Sequence, residues 1–83
     1  MIILPVQCRM ARAALGLGVR EFAAAAKVSA DTVARFERGE ELKTRTVEAL
    51  QHTLEAAGIE FIAENGGGPG VRLRKNNREA SKQ

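Results

Sequence analysis

The chain has 83 residues, which allows one domain with one modest core. Its single cysteine, Cys8, excludes an internal disulfide, and no cluster of cysteine and histidine predicts a metal site. The net charge is only +3, but residues 1–30 carry +3, residues 31–64 carry −4 and residues 65–83 carry +4. This distribution fits a protein that turns one face toward a polyanion, and it fits a mixed solvated surface equally well. The apolar start is too short for a signal peptide or a membrane span, so we expect a cytoplasmic protein with no membrane partner.

Four helices are predicted in chain order, and local signals mark their ends. Pro5 suits the first turn of a helix, and Ser29 and Thr44 can cap the third and fourth helices. Gly39 favours the left-handed conformation that ends a helix. The first three predicted helices span residues 5–16, 19–26 and 30–38, and the fourth runs from its cap at Thr44 through residue 57.

Apolar residues at helical spacing predict the buried face of each helix. In chain order they are Leu4, Cys8, Ala11 and Leu15, then Phe22, Ala23 and Ala26, then Val33 and Phe36, and finally Val47, Leu50, Leu54 and Ala57. In this interpretation Cys8 is a small core residue rather than a nucleophile.

After Gly58 the apolar period changes from 3.6 to 2, which predicts two strands at 59–63 and 71–74. The glycine-rich loop between them is typical of a turn, because neither a helix nor a Gly-Lys-Ser/Thr sequence follows it to form a phosphate site. The predicted division is a helical domain at 1–58, a β-hairpin at 59–75 and a polar, disordered tail at 76–83.

Residues 19–39 carry the functional prediction, because two short helices there flank a tight turn, as in a helix-turn-helix. Ala23 is small enough to lie where the two helices cross, and Val28 can fill the turn. Val33 and Phe36 can hold the second of these helices against the core. The opposite face of that helix is then free to contact a partner.

This free face is narrow enough for the major groove of DNA, because two of its residues are alanines. Asp31 and Arg35 are its predicted base readers, and Arg38 is predicted to contact a phosphate. Asp31 has two further interpretations, as a favourable partner of the helix dipole or as a partner of Arg35 one turn later. Lys43 and Arg45 are placed to touch phosphate, and the alternative is that they are ordinary surface charges.

Several short segments together resemble the Cro/repressor (Xre) helix-turn-helix family over about residues 8–57. The matching residues are Leu15-Gly16-Leu17, Glu21-Phe22-Ala23, Val28-Ser29, Thr32-Val33 and Phe36-Glu37-Arg38-Gly39. The strand at 58–62, the glycine-rich turn and the basic strand are similar to a short subgroup of that family. The resemblance implies a mainly α, four-helix, lambda-repressor-like domain followed by a hairpin. It also implies binding to double-stranded DNA, usually as a homodimer on a palindromic operator.

Two positions depart from the family pattern. Val19 stands where the family usually has a glutamine that clamps phosphate, so we expect the neighbouring Arg20 to make that contact. Lys27 stands where glycine is usual, which predicts a non-glycine residue in the left-handed conformation. The full set of predicted DNA-contacting residues is Arg20, Ser29, Ala30, Asp31, Thr32, Arg35, Arg38, Lys43, Thr44 and Arg45.

The resemblance further implies a structural ion pair between Arg12 and Glu37. Each residue lies among the apolar positions of its own helix, where a lone charge is unfavourable. Such a pair would brace the first helix against the third. The alternative is two unrelated surface charges.

The hairpin offers more apolar side chains than a small helical unit can easily cover, and its strand edges are unpaired. We therefore predict that it joins two subunits across a two-fold axis, with residues 1–4 as a possible further edge strand. The alternative is a hairpin folded back on its own helices in a monomer. The predicted dimerisation residues are Ile59, Phe61, Ile62, Val71 and Leu73.

These features predict a sequence-specific DNA-binding transcriptional regulator. One alternative is an antitoxin-type autorepressor that also binds a toxin, and another is a protein-interaction module that has lost DNA binding. A protein partner, either a toxin or an antiactivator, is possible. No set of nucleophile, general base and orienting group can be assembled, so we predict neither enzymatic activity nor a cofactor.

Overall fold

The computed structural model describes residues 2–75, and within that range it contains four helices followed by a two-stranded antiparallel sheet. The predicted tail at 76–83 lies outside the described residues. The predicted fold class, a mainly α chain with a C-terminal hairpin, is confirmed. The elements are α1 (Pro5–Leu15), α2 (Val19–Ala26), α3 (Ala30–Glu37), α4 (Thr44–Ala56), β1 (Ile59–Ile62) and β2 (Gly70–Leu73).

Local signals place most of the helix ends, with one correction at α4. Ser29 caps α3 as predicted, since its hydroxyl accepts a hydrogen bond from the Thr32 amide at 3.0 Å. Thr44, however, is the first helical residue of α4, and Lys43 occupies the cap position. Lys43 takes this position because its backbone is extended while its carbonyl already accepts the amides of residues 46 and 47.

One hydrophobic core joins all four helices to the hairpin. Two of the predicted core residues, Leu4 and Ala57, are exposed, whereas Ile3 and Gln7 are buried. The core comprises Ile3, Cys8, Ala11, Phe22, Ala23, Ala26, Val33, Phe36, Val47, Leu50, Leu54 and Ile59.

Gln7 explains how a polar residue can replace an apolar one on the inner face of α1. Its side-chain oxygen accepts the Leu4 amide at 2.9 Å, and its amide nitrogen donates to the carbonyls of Ile62 and Gly70, each at 3.0 Å. A buried amide with these partners avoids the cost of an unsatisfied polar group. Gln7 thereby ties the start of α1 to both strands of the hairpin.

The hairpin packs against the helices of its own chain, which was the alternative to the predicted dimer contact. Ile59 pairs with Leu73 and Phe61 pairs with Val71, and these four side chains face the core. Ile59 is fully buried, so it cannot contact a second subunit in this fold. Of the five predicted dimerisation residues, only Ile62 lies on the outer face, because successive side chains of a strand point to opposite sides. The hairpin therefore shares one hydrophobic core with the helices at residues 5–56.

Lys27 ends α2 in the left-handed conformation, with φ of 62°, and is the only non-glycine residue with positive φ among residues 2–75. A Cβ is strained there. We expect Lys27→Gly to raise the free energy of unfolding by about 0.5–1 kcal/mol in a urea titration. Lys27→Ala is the control, because it keeps the Cβ and should give no such gain. Equal stability of all three proteins would show that the turn is unstrained.

Candidate nucleic-acid interface

α2, the turn that follows it and α3 form the unit that presents a free helix face. Ala23 is buried between the helices, and its carbonyl accepts the Val28 amide at 3.0 Å to close the end of α2. Val28 is half-buried and packs against the core. Ser29 opens α3 directly afterwards, so the whole turn occupies only residues 27–29. A turn this short, with an apolar plug, sets the angle between the two helices.

Apolar packing and an ion pair with two hydrogen bonds hold the inner face of α3 against the rest of the domain. Arg12 donates through Nη2 to Glu37 Oε1 and through Nε to Glu37 Oε2, each at 2.7 Å. The side chains are only 18% and 9% exposed. Arg9 adds a hydrogen bond to the main-chain carbonyl of Glu37. The structure thus brings Arg12 and Glu37 together, between α1 and the last turn of α3.

Cys8 is a third partner of this pair, and sequence reasoning did not identify its polar contact. Its Sγ donates to Glu37 Oε2 at 3.2 Å. Burial, reinforced by the Glu37 carboxylate, raises the pKa of the Cys8 thiol far above its ordinary range, so the thiol stays neutral and acts as a donor. Burial alone would raise the pKa of Glu37, but hydrogen bonds from Arg12 and Cys8 outweigh it and hold that pKa below its usual range.

The outer face of α3 carries Asp31 and Arg35, one turn apart. Arg35 Nη1 lies 3.9 Å from Asp31 Oδ2, so the two side chains form an ion pair, one of the three interpretations of Asp31. Thr32 is half-buried, and its hydroxyl lies 2.9 Å from that of Ser29. Ala30 is half-buried and packs against the core instead of lying fully on the outer face.

Glu40 is the residue of this face that sequence reasoning missed. Its Oε1 accepts from Arg35 Nε at 3.0 Å and its Oε2 accepts from Arg38 Nη2 at 2.9 Å. These two hydrogen bonds, the one from Arg38 foremost, hold the pKa of Glu40 below its usual range. Helical spacing could not reveal the contact, because Glu40 follows the helix end. The available signal was two arginines just before a glycine turn and an acid just after it.

An open cleft of about 440 Å³ lies between the start of α3 and the start of α4. It brings together four of the predicted DNA-contacting residues, namely Ser29, Thr32, Arg35 and Lys43. Arg20, Arg38, Thr44 and Arg45 are exposed but do not line it. The cleft lining is Val28, Ser29, Thr32, Arg35, Glu41, Leu42, Lys43 and Thr46.

Most of the polar groups that line the cleft can donate hydrogen bonds. A guanidinium, an ammonium and three hydroxyl groups lie there beside the Glu41 carboxylate, and these donors suit the recognition of phosphate oxygens and base edges. Within residues 2–75, no group of three or more histidine, cysteine, aspartate or glutamate residues could hold a metal ion. Over the same range, no helix is long and apolar enough to cross a bilayer.

Comparison with known families agrees with this geometry. A family model described as a helix-turn-helix domain matches residues 6–61, which is more than half of the chain and runs from the first turn of α1 into β1. The search of curated proteins yields no match. The matched region contains both the free face of α3 and the ion pair beneath it. The chain therefore belongs to the helix-turn-helix domain family, a DNA-binding family whose match here is consistent with the Cro/Xre type.

Proposed function

We propose that the protein is a cytoplasmic transcriptional regulator that binds a palindromic operator in double-stranded DNA as a homodimer. The observation that carries this proposal is the position of Arg35. Its side chain is 41% exposed on the outer face of α3 and lines the donor-rich cleft. A rigidly held helix with an arginine on its free face suits the direct reading of guanine in the major groove.

The remaining predicted contacts divide by chemistry. Arg20, Arg38, Lys43 and Arg45 are exposed cations, and we assign them to the phosphates on either side of the groove. The hydroxyl groups of the cleft can donate to either a base edge or a phosphate.

A homodimer is supported by an apolar surface at the start of the chain. Ile2, Leu4 and Val6 are the exposed large hydrophobic residues among those the structure describes. Ile62 belongs to the same end of the molecule, because its carbonyl accepts a hydrogen bond from Gln7 in the first turn of α1. We name these four residues the N-terminal apolar patch and assign it to the dimer contact. A two-fold axis there would present two copies of α3 to successive half-sites.

The test is a binding selection from a random duplex library, followed by affinity measurements on the selected operator. We expect Arg35→Ala to weaken operator binding about tenfold to a hundredfold and to relax the preference at one base pair per half-site. Arg45→Ala is the matched control for a phosphate contact. It should weaken binding to all sequences similarly and reduce the salt dependence by about one counterion. Failure of the wild-type protein to enrich any duplex would refute the proposal.

A second candidate, a protein-interaction module without DNA binding, has one observation in its favour. Glu40 already engages both Arg35 and Arg38, so these arginines are paired in the free protein. The library selection separates the two functions, since such a module would enrich no duplex. An antitoxin-type autorepressor would enrich an operator and would in addition bind a toxin protein.

A further inference from the structure

We infer that Glu40 is a specificity-determining residue, which holds Arg35 and Arg38 in the free protein and thereby favours a neutral base edge over a DNA phosphate as the partner of Arg35. This inference rests on the proposed DNA-binding function. It adds that an acidic residue controls how well the protein distinguishes operator from non-operator DNA.

The first support is that both oxygens of the Glu40 carboxylate are used. Oε1 accepts from Arg35 at 3.0 Å and Oε2 accepts from Arg38 at 2.9 Å. Asp31 lies 3.9 Å from Arg35 on the other side. Ion pairs thus link two arginines and two acidic residues in the order Asp31, Arg35, Glu40 and Arg38. Their formal charges sum to zero. Phosphate attraction is therefore weaker here than two arginines alone would provide.

The second support is that the backbone fixes Glu40 against α3. Gly39 has φ of 96°, which reverses the chain at the end of the helix. The amide of Glu40 then donates to the Arg35 carbonyl at 3.0 Å, and the amide of Gly39 donates to the Phe36 carbonyl at 2.9 Å. The carboxylate is therefore presented to the two arginines by main-chain hydrogen bonds, and its position does not depend on the side chains alone.

Arg35 keeps free N–H donors while it is bound to Glu40. A guanidinium has five N–H groups, and Glu40 takes the Nε–H of Arg35. The terminal N–H groups can still donate as a pair to O6 and N7 of guanine, which carry no net charge. A phosphate, in contrast, brings a negative charge toward Glu40 and must compete with it for Arg35. Glu40 therefore penalises non-operator DNA, which offers mainly phosphates, more than it penalises the operator.

The test compares the full-length wild-type protein with Glu40→Gln on two short duplexes, one with the selected operator and one of unrelated sequence. We expect Glu40→Gln to bind the unrelated duplex about fivefold more tightly, because two exposed ion pairs no longer compete. Operator affinity should change less than twofold, so the specificity ratio falls. The salt dependence on the unrelated duplex should steepen by about one counterion, which a merely structural role for Glu40 would not produce.

Glu48→Gln is the matched control. It removes the same charge from an exposed residue outside the cleft, and Glu48 forms no ion pair among residues 2–75. If both variants shift both duplexes equally, the effect is one of net charge, and the inference is overturned while the regulator proposal stands. If the wild-type protein selects no duplex at all, the proposed function fails first and the inference fails with it. Thermal unfolding of all three proteins verifies that they are folded.

Discussion

Replacing Arg12 with alanine is expected to lower the free energy of unfolding by about 3 kcal/mol. The reason is the position of its partner. The Glu37 side chain is only 9% exposed and accepts two hydrogen bonds from Arg12 at 2.7 Å. Without Arg12, this carboxylate keeps the hydrogen bond from the Cys8 thiol but has no buried counter-charge. Breaking a buried pair from one side leaves the other charge uncompensated, which costs more than the pair contributes when intact.

Glu37→Ala should cost less, about 2 kcal/mol, because Arg12 is the more exposed partner and also donates to the Leu17 carbonyl at 3.1 Å. The double variant should be clearly more stable than the sum of the two losses predicts, since no unpaired charge remains. Urea unfolding of the wild type, the two single variants and the double variant measures the coupling free energy between Arg12 and Glu37. Losses that simply add would contradict the bracing role of the pair.

The hairpin offers a matched control for this experiment. Arg72 and Glu60 are also joined by two hydrogen bonds, from Nε to Oε1 at 3.1 Å and from Nη2 to Oε2 at 3.2 Å. Both of these side chains, however, are exposed. Water compensates each charge when the other is removed, so single substitutions there should change stability little. A large loss in both pairs would show that burial is not the cause.

The second large effect is expected at the N-terminal apolar patch. The double variant Leu4→Ser/Val6→Gln should sediment as a monomer. It should bind the full operator about a hundredfold more weakly, because the two copies of α3 that contact the half-sites are no longer linked. Binding to a single half-site should be unchanged. Both substitutions are neutral, so the loss cannot come from a change in charge toward DNA.

The fold of the monomer should survive these substitutions. Leu4 occupies the cap position of α1 with no side-chain hydrogen bond, and serine there can accept from the free amides of the first turn. The stability of α1 should therefore rise rather than fall. Ala13→Gln, on an exposed position of the same helix, is the control and should leave dimer and affinity intact. A variant that remains a dimer with full affinity would assign the contact to another surface, and a wild-type monomer would refute the dimer proposal.

Removing the hairpin would be a poorer test of the dimer. Ile59 is fully buried in the core, and Gln7 loses two of its three hydrogen-bond partners when both strands are absent. A chain ending after residue 58 would therefore expose core and leave a buried amide unsatisfied, so its loss of DNA binding could reflect unfolding.

The sequence by itself determined the features that depend on neighbours along the chain. The bounds of α2, the cap at Ser29 and the left-handed turn at Lys27 were predicted correctly. Each follows from local chemistry, namely a hydroxyl beside free amides or a backbone conformation required by a short turn. The helix-turn-helix motif was predictable for the same reason, because its spacing is set within about twenty residues.

The tertiary structure decided which of several locally acceptable surfaces is buried. Period-two alternation predicts that a strand has two faces, but packing of the hairpin against α1 and α4 selects the face with Ile59 and Phe61 and leaves Ile62 outside. Gln7 replaces Leu4 in the interior because carbonyls more than fifty residues away satisfy its amide. Glu40 meets Arg35 and Arg38 because Gly39 turns the chain back on the helix. Such contacts depend on where distant or non-helical backbone lies, and helical spacing contains no information about that position.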